Sequence, residues 1–195
     1  MWALSLAVTI FGCCITNAAT TSITSTADIF SAGQAIIPSD GTAAPMFAAS
    51  SSFRSALRIT NASGSIFTGC LPLSGPDGGN PCAQAATKSP AGIGLSAVRT
   101  EGAFFLAGVF LLDSAPLEPA PATLDFANDG LGKSFDSLSP KLAQVFFIGD
   151  GRTEAGSVQN FFVPAGATRL ALGTIDNCGG GIGAHGVLLR QSRRF

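Results

Sequence analysis

Charge is scarce in this sequence. Only 12% of its residues are Asp, Glu, Lys or Arg, and they balance to −1. Nucleic-acid binders carry a clear basic excess, so that class is excluded. Histidine is almost absent: His185, near the C-terminus, is the only one. No Gly-x-Ser-x-Gly elbow accompanies it and no Asp is placed to complete a triad, so the chain is not expected to be an enzyme. Tyrosine is missing altogether. No Cys-x-x-Cys or Cys/His spacing suggests zinc. No run after the N-terminus reaches the roughly 18 apolar residues that span a membrane. Ala103 to Leu112 is too short for that and reads as a strand covered on both faces. No segment shows an apolar stripe at helical spacing.

What is present points to strands and turns. Apolar residues make up 46% of 195, enough for one domain with a sizeable core and too many for disorder. Twenty-four Gly, 11 Pro and 15 Phe suit short strands punctuated by turns. Leu57 and Ile59 alternate as on one strand face, and Asn61 to Gly64 reads as a turn. Gly69 to Ala86 reads as a long loop whose Gly-Pro-Asp-Gly-Gly-Asn centre is unsuited to a ladder, and loops of that length are often functional. Gln144 to Ile148, Val158 to Val163 and Arg169 to Ile175 are separated by Gly149-Asp150-Gly151 and by Pro164-Ala165-Gly166-Ala167. They are expected to form an antiparallel meander that delivers Asp176 to a strand end. The fold expected is all-β: an antiparallel two-sheet β-sandwich or jelly roll.

Residues 1–19 read as a signal peptide, apolar from Trp2 to Ile15 with small residues at Thr16 to Ala19, although a basic leading region is missing. The other reading of this run is a buried strand. Export would place Cys70 and Cys82 in an oxidising compartment, where a bridge between them is plausible, with Cys178 left over. Gly181 to Gly186 matches a dinucleotide-binding glycine pattern. Nine following residues are too few for the helix that pattern requires, so it is set aside.

Phe146-Phe147-Ile148-Gly149-Asp150-Gly151, followed by Phe161 to Asp176 (FFVPAGATRLALGTID), resembles exported bacterial proteins of the PEP-CTERM type. These carry a domain similar to calcium-dependent, galactose-binding bacterial lectins. Gly75 to Gly78, Gly108 to Leu111 and Leu124 to Phe126 fit the same pattern, and the resemblance spans roughly residues 22 to 176 at the usual boundary uncertainty. It implies a galactose-binding-like β-sandwich over residues 20–176, with calcium among the loops at one end, bridging protein oxygens and sugar hydroxyls. Calcium takes about 6–8 oxygen ligands. By resemblance Asp176, with Asn177, takes part in the metal site, and Asp77, Asn80, Gln84 and Asp176 are candidates for contacting carbohydrate. The family's further ligands come from a Tyr-Tyr-x-Asp-Asn-Ser-Gly loop that is not found here, so the calcium site reads as incomplete. Residues 177–195 form an atypical tail, readable either as a shifted reading frame or as a divergent basic segment.

The function expected is a secreted or cell-surface carbohydrate-binding module, lectin-like and calcium-linked. Its partner would be a carbohydrate or exopolysaccharide, with no nucleic acid and no integral membrane span once the signal is removed. The alternative is an exported structural or extracellular-matrix protein without a ligand.

Overall fold

The apolar, β-branched and aromatic runs of the chain become short strands in its computed structural model. The structure describes residues 3–12, 15–35, 41–48, 56–65, 74–79, 87–88 and 93–175, with side chains from residue 20 onward apart from 87–88. In chain order the strands begin with β1 (Ala3–Gly12), β2 (Ile15–Thr24) and β3 (Ala27–Asp28). A single 3₁₀ turn, Ile29–Ser31, follows and is capped by the Asp28 carboxylate on the Phe30 N–H. Next come β4 (Thr42–Ala43), β5 (Met46–Ala48), β6 (Ala56–Ser63), β7 (Asp77–Gly79), β8 (Thr87–Lys88), β9 (Val98–Thr100) and β10 (Ala103–Leu111). The chain closes its described part with β11 (Leu124–Asp125), β12 (Ser137–Leu138), β13 (Val145–Phe147), β14 (Asn160–Phe162) and β15 (Arg169–Ile175). The all-β expectation holds.

One sheet runs in the order β12-β14-β6-β1-β2. A second runs β13-β10-β15-β3-β4, with β5 on β15 and β7 on β10, and a small third sheet runs β11-β9-β8. All nine residues of β10 are buried, as its unbroken apolar run requires of a strand with both faces covered. The pairing is mixed rather than antiparallel throughout, because β3 with β15, β3 with β4, β9 with β11 and β12 with β14 are parallel.

The expected meander is corrected. β13 and β15 do not share an intervening strand from the same stretch; each pairs with β10. β14, which lies between them in sequence, pairs with β6 in the other sheet. The connection after β13 causes this. It folds on itself through an Arg152–Val158 bridge and a Thr153–Ser157 turn, and is long enough to carry the chain across to the other sheet. The second turn forms as the sequence indicates, with the Ala167 N–H donating to the Pro164 carbonyl at 3.1 Å.

Two smaller expectations also change. Asn61 to Ser63 is not a turn but the end of β6, paired to β1, with Ala62 buried. The centre of the long loop does hold a ladder, since Asp77 and Gly79 of β7 face Phe105 and Ala103 of β10. Residues read as an export signal lie in β1 and the first half of β2, and β1 pairs with both β2 and β6. Cys70, Cys82 and Cys178 lie outside the described residues.

Phenylalanine rings make contacts between the two larger sheets. Phe110 of β10 stacks on Phe146 of β13 at 5.3 Å, and Phe146 meets Phe161 of β14 at 5.3 Å. Phe161 touches Phe135, which touches Phe126, which touches Phe147 of β13. Phe147 then meets Phe105, returning the path to β10. Offset and edge contacts of this kind add about 0.5–1.5 kcal/mol each beyond area burial. The rings carry no polar atom, so they need no hydrogen-bond partner in the core. Among the described residues, no helix is long and apolar enough to cross a membrane.

Candidate functional site

The end of this ring path positions a polar cleft. Phe147 closes β13, and the chain turns immediately through Gly149-Asp150-Gly151. The Ile148 and Gly149 N–H groups both donate to the Leu106 carbonyl of β10, and the Gly151 N–H donates to the Ile148 carbonyl. Asp150 steadies the turn in the way aspartate does, its Oδ1 accepting from the Arg152 N–H two residues on at 2.8 Å. On the neighbouring strand, β7 holds Asp77 against β10. The two segments are locked together: the Asp150 N–H donates to Asp77 Oδ1 at 2.8 Å.

The resulting cleft, about 360 Å³, is lined by Asp77, Lys133, Asp150, Arg152, Thr153, Glu154 and Gly156. Lys133 comes from the loop before β12. Its ammonium lies 5.2 Å from the centroid of the Phe147 ring and donates to the Asp77 carbonyl at 3.1 Å. Its backbone is fixed from below, because fully buried Gln159 donates from Nε2 to the carbonyls of Lys133 and Phe135. Arg152, itself exposed, donates to the carbonyls of Gly156 and of Thr60 on β6, both at 2.8 Å. Glu154 is exposed at the rim, its N–H held by Ser134 Oγ at 3.0 Å.

The electrostatics follow from this packing. Burial pushes the Asp77 carboxyl up from the ordinary aspartate value, and the nearby Asp150 charge adds to that. The hydrogen bond from Asp150 and the Lys133 charge oppose it without reversing the direction. Burial also lowers the Lys133 ammonium, against the attraction of Asp77 and Glu101. Each partly desolvated group is thus drawn toward its neutral form.

A stability prediction follows for Asp77. A carboxyl raised in the folded state contributes stability that is complete below the ordinary value of 3.8 and is lost as pH rises through the folded value. Asp77→Asn keeps an oxygen acceptor for the Asp150 N–H and has no charge to desolvate. Its thermal midpoint should lie above that of the wild type at pH 7, and the gap should close when the pH falls below 3.8. Melting curves at the two pH values check this, and a variant less stable at pH 7 would contradict it.

Of the carbohydrate candidates read from the sequence, Asp77 is in the cleft. Asn80, Gln84 and Asp176, and Asn177 expected with Asp176 at the metal site, lie outside the described residues. Lys133, Asp150, Arg152 and Glu154 were not among those candidates. Two signals could have found them: the run Gly149 to Glu154 concentrates four charges or oxygens in a charge-poor chain, and Lys133 is one of only three lysines. Among the described residues no group of three or more His, Cys, Asp or Glu could hold a metal ion, so Asp77, Asp150 and Glu154 line one cleft without forming a calcium cage.

A second hollow, about 220 Å³, is lined by Leu111, Leu112, Leu117, Leu142 and the prolines of the 116–121 connection, and carries no titratable side chain. No protein-family model, curated protein or solved structure matches the chain.

Proposed function

We propose that this protein is an exported, lectin-like carbohydrate-binding module and that the Asp77–Asp150 cleft is its sugar site. The observation that carries the reading is the 2.8 Å hydrogen bond from the Asp150 N–H to Asp77 Oδ1. It joins a loop residue singled out for sugar contact to the turn most specific to the lectin-like resemblance. The cleft's chemistry supports it. Carboxylates at Asp77, Asp150 and Glu154 offer acceptors beside the ammonium of Lys133, a donor of three N–H groups. Sugar hydroxyls both donate and accept, so such a mixed lining can satisfy them in adjacent pairs. The two-layer reading of the fold as a β-sandwich belongs to the same proposal, as do export and location at the cell surface.

Calcium enters as a variable of the test rather than as a part of the cleft, because the residues expected to hold it, Asp176 and Asn177, are not among those described. Titration calorimetry with methyl β-galactoside, run in millimolar calcium and again in EDTA, should show saturable binding in calcium. Heats indistinguishable from dilution for galactoside and for a glycan panel would refute the reading. A structural or matrix role is the second reading. It is favoured by one feature, the commitment of both Arg152 amino groups to backbone carbonyls, which uses the cleft's strongest donor to brace the fold.

A further inference from the structure

We propose that β2 is an association edge, and that a second copy of this chain pairs with it antiparallel about a two-fold axis. The two β12-β14-β6-β1-β2 sheets then join into one. The proposal concerns the chain that keeps residues 1–19, because β2 runs from Ile15 to Thr24.

Length is the first observation behind it. β2 ends its sheet and, among the described residues, pairs with β1 alone. It has ten residues, against two or three in every other strand that ends a described sheet, namely β12, β13, β4, β11 and β8. Short edges give another strand little to join, and keeping them short is one way proteins blunt them. Alternate residues of a strand turn their N–H and C=O groups to opposite sides, so about half of those in β2 point away from β1.

The second observation is that nothing guards this edge. From Met1 to Ala27 the sequence has no Asp, Glu, Lys, Arg or His, and β2 contains neither Pro nor Gly. Its ladder to β1 runs through ten residue pairs without a register shift. Charged side chains, proline and bulges are the devices that keep edges apart, and β2 has none of them.

The third is its two faces. Thr20, Ser22 and Thr24 are exposed, while Ile23 is buried. A copy set alongside continues both faces, with hydroxyls outward, where cross-strand Thr and Ser pairs hydrogen-bond, and Ile23 inward. A second copy is the occupant these features favour. Identical uncharged strands approach without like-charge repulsion. Two-fold pairing uses the same groups on both copies and closes at two.

Light scattering and hydrogen exchange on the full chain, across a concentration series, test this. The chain should become dimeric as concentration rises, and amides of Ile15–Thr24 should then exchange more slowly. Thr20→Lys combined with Ser22→Lys should weaken association about tenfold or more, because lysines would face lysines across the join. Glu at both positions should weaken it likewise, and mixing the Lys and Glu variants should restore the dimer. The exchange measurement needs no variant, so it decides even where a substituted chain fails to fold. A monomer at every concentration, an open-ended assembly, or a dimer indifferent to the lysines would overturn the proposal. Exchange in β2 that does not depend on concentration would overturn it too. None of these readings involves sugar, so the calorimetric titration and this test can fail independently.

Discussion

Gly151→Ala should destabilise the protein by about 2–5 kcal/mol, the sum of about 1–2 for a left-handed alanine and about 1–3 for overpacking. Gly151 has φ +81, and a Cβ there would lie 2.2 Å from the Ile59 carbonyl oxygen and 2.9 Å from the Ile59 Cβ. That oxygen belongs to β6 and cannot swing aside as a side-chain tip could. Gly149 has φ +62, and its Cβ would lie 2.1 Å from Asp77 Oδ1 and 2.6 Å from Phe147 Cζ. Gly149→Ala should cost a similar amount and also push Asp77 off the Asp150 N–H, so sugar binding should go with it. Gly156 is the control, because its φ is +84 but nothing lies within 4 Å of the added carbon. Gly156→Ala should cost only the backbone share, about 1–2 kcal/mol. Urea unfolding of the three variants checks this. A Gly151 variant no worse than the Gly156 variant would mean that the turn does not press against β6.

Phe161→Ala should cost about 3–5 kcal/mol, as for other fully buried aromatics. Phe161 is 0% exposed on β14 and meets Phe146 of the other sheet, so its loss opens a cavity at that contact. Small domains have only about 5–15 kcal/mol of stability, so this one change approaches the threshold for unfolding. Its neighbour Phe162 is 47% exposed, and Phe162→Ala should fall within about 0.5 kcal/mol of wild type, as surface changes do. Phe146→Ala combined with Phe161→Ala should be less damaging than the sum of the two, since both remove the same ring contact. Strict additivity in a double-mutant cycle would argue that this pair does not couple the sheets.

Residue types and spacing revealed some of this fold and missed other parts for physical reasons. The burial of β10 was legible because an unbroken apolar run has no polar face to offer water. The turn at Pro164 to Ala167 was legible because Pro and Gly restrict backbone angles locally. The sheet to which each strand belongs was not, because Phe161 looks the same whether its hydrogen bonds go to β6 or to β13. Partner choice depends on where a distant chain segment lies, and sequential strands fail to neighbour one another about a third of the time. The Asn61 to Gly64 stretch has turn composition, yet pairing to β1 overrides that local preference.

The site was half visible. Asp77 was identified from its loop, and Gly149 to Gly151 from its motif, but their meeting depends on β7 and β13 both flanking β10. Lys133 gave no sign beyond its rarity. Its contact with Phe147 is made only once the loop before β12 folds over that ring.

The central claim is that Asp77 and the Asp150 turn make one cleft that holds a sugar. The most direct measurement is an amide-resolved NMR titration of the full chain with methyl β-galactoside in calcium. The amides of Lys133, Asp150, Gly151 and Arg152 should shift together along one saturation curve. Saturable shifts confined to residues far from this cleft, or no shift at millimolar sugar, would contradict it.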